Sequence, residues 1–211
     1  YERFSRFFRT LRRGELLSCE TKNVVSAASV KEVHEELEVA QSKLVMGFRT
    51  GVFQPQDEVP AMRLAIAMLG GTPSSKLFLN VREKQSLCYY CSASYNSMKG
   101  IMLIQSGVES ENLDKARTEI MAQLEAMQKG DFTEEEIEAA KLSILNAYRS
   151  TSDSLGALSG WYLSQAIAGR PQTLAEAAAA IEAVTREEII RAAGRITLDT
   201  VYSLTGKEKE A

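Results

Sequence analysis

Arg82 and Tyr89 are the residues in this sequence whose types and spacing best suit chemistry on a carbonyl group. A guanidinium and a phenol are both strong hydrogen-bond donors, fitted to grip a carbonyl oxygen or the oxyanion of a tetrahedral intermediate. Arg82 falls near the end of an expected helix and Tyr89 at the start of the strand expected to follow. The tight connection Gln85-Ser86-Leu87 brings both toward one point. The plainer alternatives are a surface ion pair for Arg82, to Glu83 or Glu111, and ordinary sheet packing for Tyr89.

Other motifs resemble chemical sites and lack part of what the chemistry needs. Cys88-Tyr89-Tyr90-Cys91 has redox or metal spacing, but it lies where a strand begins. Residues three apart on a regular strand point to opposite faces, so the two thiols are expected to diverge. Gly70-Gly71-Thr72-Pro73-Ser74-Ser75-Lys76 lacks the glycine before the lysine, and Leu77 stands where a phosphate loop holds magnesium through Ser or Thr. It is expected to be a helix stop followed by a helix cap at Ser74. His34-Glu35-Glu36-Leu37-Glu38 misses both H-E-x-x-H and its inverse, and His34 is the single histidine of the chain. No zinc site built on two histidines can form here. The expected cofactor content of the chain is therefore none, and His34 is expected on a solvated acidic face.

Composition narrows the class. The chain has 211 residues, a net charge of −3 and 45% apolar residues, enough for a substantial core. Residues 1–13 carry five arginines against one glutamate, while the remainder is acidic, the reverse of what a nucleic-acid-binding body shows. The uncharged run 154–169 is shorter than the roughly 18–20 residues of a membrane span. Three cysteines, Cys19, Cys88 and Cys91, argue against a disulfide scaffold and for a reducing, cytoplasmic location. The chain begins at Tyr1 rather than Met, as a piece of a longer protein would.

The elements that must position the donor pair follow from periodicity. Phe4, Phe7, Phe8 and Leu11 make a short basic amphipathic helix, and residues 14–31 read as linker, so 1–31 is set apart from a domain over 32–211. Extended stretches are expected over 32–38, where Ser29 and Glu32 also match a helix capping box, and over 43–49. A helix is expected from Pro60 to Leu69, ended by Gly70-Gly71, and a second over 75–84. Strands at 87–95 and 101–108 flank the hairpin signal Asn96–Gly100. Helices follow: one with Leu113, Ala116, Ile120, Leu124 and Met127 on one stripe, one capped by Thr133 and Glu136, and others near 155–168, 175–183 and after Thr185. A last strand is expected at 200–204. Strands early, helices late and a returning strand indicate α+β, with a two-layer, mainly antiparallel sheet covered on one face by helices.

The run Leu69-Gly70-Gly71, Ser74-Ser75-Lys76-Leu77-Phe78, Val81-Arg82-Glu83-Lys84 and Leu87-Cys88-Tyr89 resembles the insulinase, pitrilysin and mitochondrial processing peptidase family. The likeness is to the C-terminal half of its paired repeat. It continues through Gly107, Asn112–Ala116, Gly130, Thr133–Lys141 and Val184–Glu188, covering most of 40–205. The resemblance implies one half of a clamshell that closes around a peptide chamber. It further implies that a zinc-bearing N-terminal half or homologous subunit supplies H-x-x-E-H, and that Arg82 and Tyr89 reach the peptide substrate across the chamber. With that motif absent, this chain alone is expected to be inactive. Either it is the C-terminal domain of a zinc metallopeptidase, or its parent is a non-catalytic partner subunit or interaction scaffold.

Overall fold

The computed structural model describes residues 1–15 and 22–206; Cys19 lies outside them. Among the described residues the strands form one five-stranded sheet in the order β1-β5-β2-β4-β3. These are β1 (Lys31–Leu37), β2 (Ser42–Arg49), β3 (Cys88–Asn96), β4 (Ile101–Val108) and β5 (Thr197–Gly206). Only β1 runs parallel to its neighbour, β5; the other pairings are antiparallel. The arrangement is the expected α+β fold with a mainly antiparallel sheet.

Alternation along the central strands decides which face receives helices. Ser42, Leu44, Met46 and Phe48 of β2 are buried, as are Met102, Ile104, Ser106 and Val108 of β4, and the residues between them are more open except Gly107. This period of two puts one apolar face under α2 (Val59–Ile66), α3 (Leu113–Lys129) and α7 (Arg186–Gly194). The predicted stripe of α3 is the buried one: Ala116, Ile120, Leu124 and Met127. Gly130, at φ 77°, ends that helix in the left-handed region. Capping boxes start α4 (Glu134–Ser152) at Thr133 and α7 at Thr185, as the spacing predicts. A third, Thr173 with Glu176, starts α6 (Leu174–Glu182).

The edges of the molecule are less covered. All seven residues of β1 are exposed, so the strand, rather than a capped helix, is what 31–37 forms. The parallel pairing to β5 accounts for this: backbone hydrogen bonds hold β1 while its side chains stay in solvent. β5 is longer than the strand expected at 200–204 because it is paired on both sides. α1 (Glu2–Thr10) buries nothing, and Phe4, Phe7 and Phe8 stand exposed beside its arginines. α5 (Leu155–Ile167) exposes Leu155, Leu163 and Ile167.

The segment that carries Arg82 is seated by a close backbone approach. α2 begins with Pro60 in its first turn and passes into a wide helical turn, Ala67–Gly71. A Cβ on Gly70 would stand 2.7 Å from the Ala93 backbone nitrogen and 2.8 Å from the Ala93 Cβ. The turn therefore lies directly on β3, and only a residue without a side chain fits there. After an extended Thr72, a second wide helix runs from Leu77 to Lys84. Ser74 does not cap it: its hydroxyl is 3.2 Å from that of Thr72, and the helix has no side-chain cap. The Lys76 ammonium is 3.1 Å from Glu136 on α4, so the glycine-rich run is a helix stop and restart pinned by an ion pair.

Gly70→Ala should destabilise the protein by about 1–3 kcal/mol through overpacking against β3. Gly71→Ala, whose added Cβ would meet nothing closer than 3.5 Å, should shift stability by less than about 1 kcal/mol. Urea denaturation of the two variants compares them directly; equal midpoints would remove the packing account.

Candidate functional site

Leu77 and Val81 are buried beneath the helix Leu77–Lys84, which turns Arg82 toward its rim. Asn80 Nδ2 donates to Gln123 Oε1 on α3 at 2.7 Å and fixes the rotation of the helix. The helix then unwinds through wide bonds, Gln85 N–H to Asn80 O at 3.2 Å and Leu87 N–H to Val81 O at 3.1 Å. Ser86, between them, takes φ 51°, an unusual backbone for a residue with a side chain. That left-handed residue reverses the chain within three positions and delivers it into β3 beside the helix it has just left.

Arg82 and Tyr89 consequently line one open groove of ≈ 440 Å³, together with Ser86, Cys88, Glu109 and Asn112. The Arg82 guanidinium lies 4.7 Å from the centre of the Phe78 ring, and its Nε is 3.6 Å from Glu83, the ion pair anticipated in the sequence. The side chain is 40% exposed, so this contact leaves the donor fork open to solvent. Tyr89 is 57% exposed, and its hydroxyl donates to Glu109 Oε1. That hydrogen bond, reinforced by the carboxylate charge, holds the phenol above its ordinary value. The phenol thus stays protonated, and a donor, throughout the neutral range. Glu109, which follows the last residue of β4, was missed in the sequence; the hairpin register places it near the start of β3 once the turn at 97–100 is counted.

The expectation that Cys88 and Cys91 diverge is wrong. The β3–β4 register shifts between Cys88 and Tyr90: Cys91 pairs with Ser106 and Tyr90 with Gly107, but Cys88 pairs with Val108. Tyr89 is therefore the extra residue of a bulge, and Cys88 and Cys91 share a face like Val108 and Ser106 opposite them. The two tyrosines go separate ways. The Tyr90 ring lies across Gly107, where a Cβ would stand 2.5 Å from its Cε1, while Tyr89 turns to the groove.

His34 stands on the exposed strand β1. Its Nδ1 is 2.9 Å from the Ser203 hydroxyl, and its Nε2 is 3.4 Å from that of Thr205 and 3.6 Å from Glu36. Among the described residues no three His, Cys, Asp or Glu side chains converge to hold a metal. These residues do not fit a catalytic zinc. Among the described residues no helix is long and apolar enough to cross a membrane. The groove offers two donors and a carboxylate acceptor.

The geometry agrees with what the chain is similar to. Residues 4–144 match the family described as "Peptidase M16 inactive domain". Over 178 residues the chain is 40% identical to "Probable inactive metalloprotease YmfF" of Bacillus subtilis, covering 84% of this chain and 42% of that one. It is also similar to the crystal structure of a conserved protein from Enterococcus faecalis V583, with a TM-score of 0.84 and 32% identity over 90% of this chain and 45% of that one. The inactive peptidase domain of a putative zinc protease from Bordetella parapertussis shares the fold, with a TM-score of 0.66 and 19% identity, covering 77% of this chain and 93% of that domain. The chain thus spans less than half the length of its curated relative and nearly the whole of a separately solved inactive domain. The match over residues 4–144, more than half of the chain, together with the 40% identity, shows that the chain belongs to the M16 peptidase family, matching the domain described as its inactive one.

Proposed function

We propose that this domain is the metal-free half of a two-halved peptidase-like chamber, in which Arg82 and Tyr89 hold the backbone of a peptide. The observation that carries this reading is that the two donors, seven residues apart, stand on the wall of the same groove. A peptide carbonyl entering there replaces Glu109 as the acceptor of the Tyr89 hydroxyl, while Arg82 offers its free N–H groups. Glu109, once released, can accept from a peptide N–H. The zinc that hydrolysis requires belongs, in this proposal, to a zinc-bearing N-terminal half or a homologous subunit, and no residue described here takes part in holding it.

Tyr89→Phe removes the donor and keeps the ring. When the domain is combined with its zinc-bearing half, that change, or Arg82→Ala, should lower peptide cleavage about 10²–10³-fold, the usual cost of losing one oxyanion donor. Near-normal rates would refute the assignment. Similarity to a relative described as a probable inactive metalloprotease favours a second form of the reading, in which the parent binds peptides without cutting them. There the same substitutions should weaken peptide affinity by a factor of about 3–10, about 1 kcal/mol for one hydrogen bond, with no turnover in the unaltered protein.

The Tyr89–Glu109 contact has its own readout. Glu109→Gln removes the charge that favours the protonated phenol, so Tyr89 should titrate at lower pH, nearer the ordinary tyrosine value. Difference absorbance against Tyr89→Phe isolates this phenol from the other six tyrosines. An unchanged midpoint would show that the phenol does not donate to that carboxylate.

A further inference from the structure

The cysteines brought together by the bulge have no part in the peptide-holding reading. Cys88 is half-buried and lines the groove, whereas Cys91 is 4% exposed beneath it. Across the hairpin they face Val108 and Ser106, two positions apart on β4. Two residues of one strand face are separated by roughly 6.8 Å, at the upper end of the Cα separation that a disulfide spans, about 4.4–6.8 Å. Without the bulge the pair would sit about 10 Å apart on opposite faces, where no bond could form. Tyr89 thus supplies the local shortening that brings the two cysteines of this C-x-x-C onto one face of the strand.

We propose that Cys88 and Cys91 form a redox-active dithiol site whose co-reactant is a low-molecular-weight disulfide. Their surroundings differ in the sense such a reaction needs. The hydrogen bond from Cys91, chiefly, with Ser106 and the charge of Arg82 assisting against burial, lowers the Cys88 thiol to about 7. The hydrogen bond it gives to Cys88, burial and the adjacent thiolate push Cys91 well above the thiol range. The accessible sulfur is therefore the nucleophile, and the covered one stays protonated until it is needed.

In the first step the Cys88 thiolate attacks one sulfur of the small disulfide. Its S–S bond breaks, a new S–S bond joins Cys88 to one half, and the other half leaves as a thiolate that takes up the proton Cys88 has lost. In the second step Cys91 releases its proton, and its sulfur attacks that of Cys88. The mixed bond breaks, the Cys88–Cys91 bond forms, and the second small thiolate leaves with the Cys91 proton. Two protein thiols are oxidised, and one disulfide is reduced to two thiols.

Oxidised glutathione serves as the probe. The full chain is incubated with it, alkylated and digested with trypsin; the peptide 85–99 contains Cys88 and Cys91 and excludes Cys19. The expected peptide has lost two hydrogens and carries neither alkyl group nor glutathione. Cys91→Ala should trap the glutathione adduct on Cys88, and Cys88→Ala should leave Cys91 at least tenfold slower to react. Two free thiols in the native protein, or an adduct at Cys88 that never resolves onto Cys91, would overturn the proposal. The unsubstituted protein decides this even if replacing the buried Cys91 prevents folding.

Discussion

A missing side chain governs the groove. Because Gly70 presents no Cβ to Ala93, the wide turn that ends α2 lies in contact with β3, and the following helix is held low against the sheet. Leu77 and Val81 can then fill the space beneath that helix, and Lys76 and Asn80 reach Glu136 and Gln123 on the helices behind it. With the helix fixed at both ends, the left-handed turn at Ser86 has only one place to send the chain. Arg82 and Tyr89 arrive on the same wall because the backbone between them is short and the two elements it joins are already in contact.

The bulge at Tyr89 does two things with one extra residue. It turns the phenol away from its neighbour Tyr90, which packs over Gly107, and points it to Glu109 at the end of β4. It also slips the phase of the strand start, so that Cys88 joins the face that Cys91 already occupies. A donor at the groove and a thiol pair behind it are thus consequences of a single register change, and altering the bulge would move both.

Covered and uncovered surface are unevenly distributed. The sheet face under α2, α3 and α7 is packed with Met46, Phe48, Met62, Ile104 and Ile120 at or near zero exposure. In contrast, α1, α5 and β1 carry exposed apolar residues, among them Phe4, Phe7, Leu163 and Val33. Among the described residues one contiguous core joins the sheet face to α2, α3 and α7. The groove that carries Arg82 and Tyr89 lies apart from those exposed apolar residues, between the end of the wide helix and the start of β3.

Much of this was legible in the residues taken one after another. The period of two in β2 and β4, the stripe of α3, the capping boxes at Thr133 and Thr185 and the stop at Gly130 are local signals, set by side-chain alternation and by hydrogen bonds within a few positions. The spacing of Arg82 and Tyr89 marked the pair, and resemblance marked the fold. Local rules failed where distant segments meet. Ser74 had the chemistry of a cap, yet its hydroxyl turned to Thr72; the extended stretch expected near 32–38 did form, and β5, far along the chain, decided between strand and capped helix by offering it an edge. Strand alternation separated Cys88 from Cys91 until pairing with β4 inserted the bulge, and Glu109 gained its role only from that pairing. Sequence determined which segments were helix or strand and which residues could donate; the register between β3 and β4 decided which of them meet, because one added residue in a ladder reverses the faces of everything on one side of it.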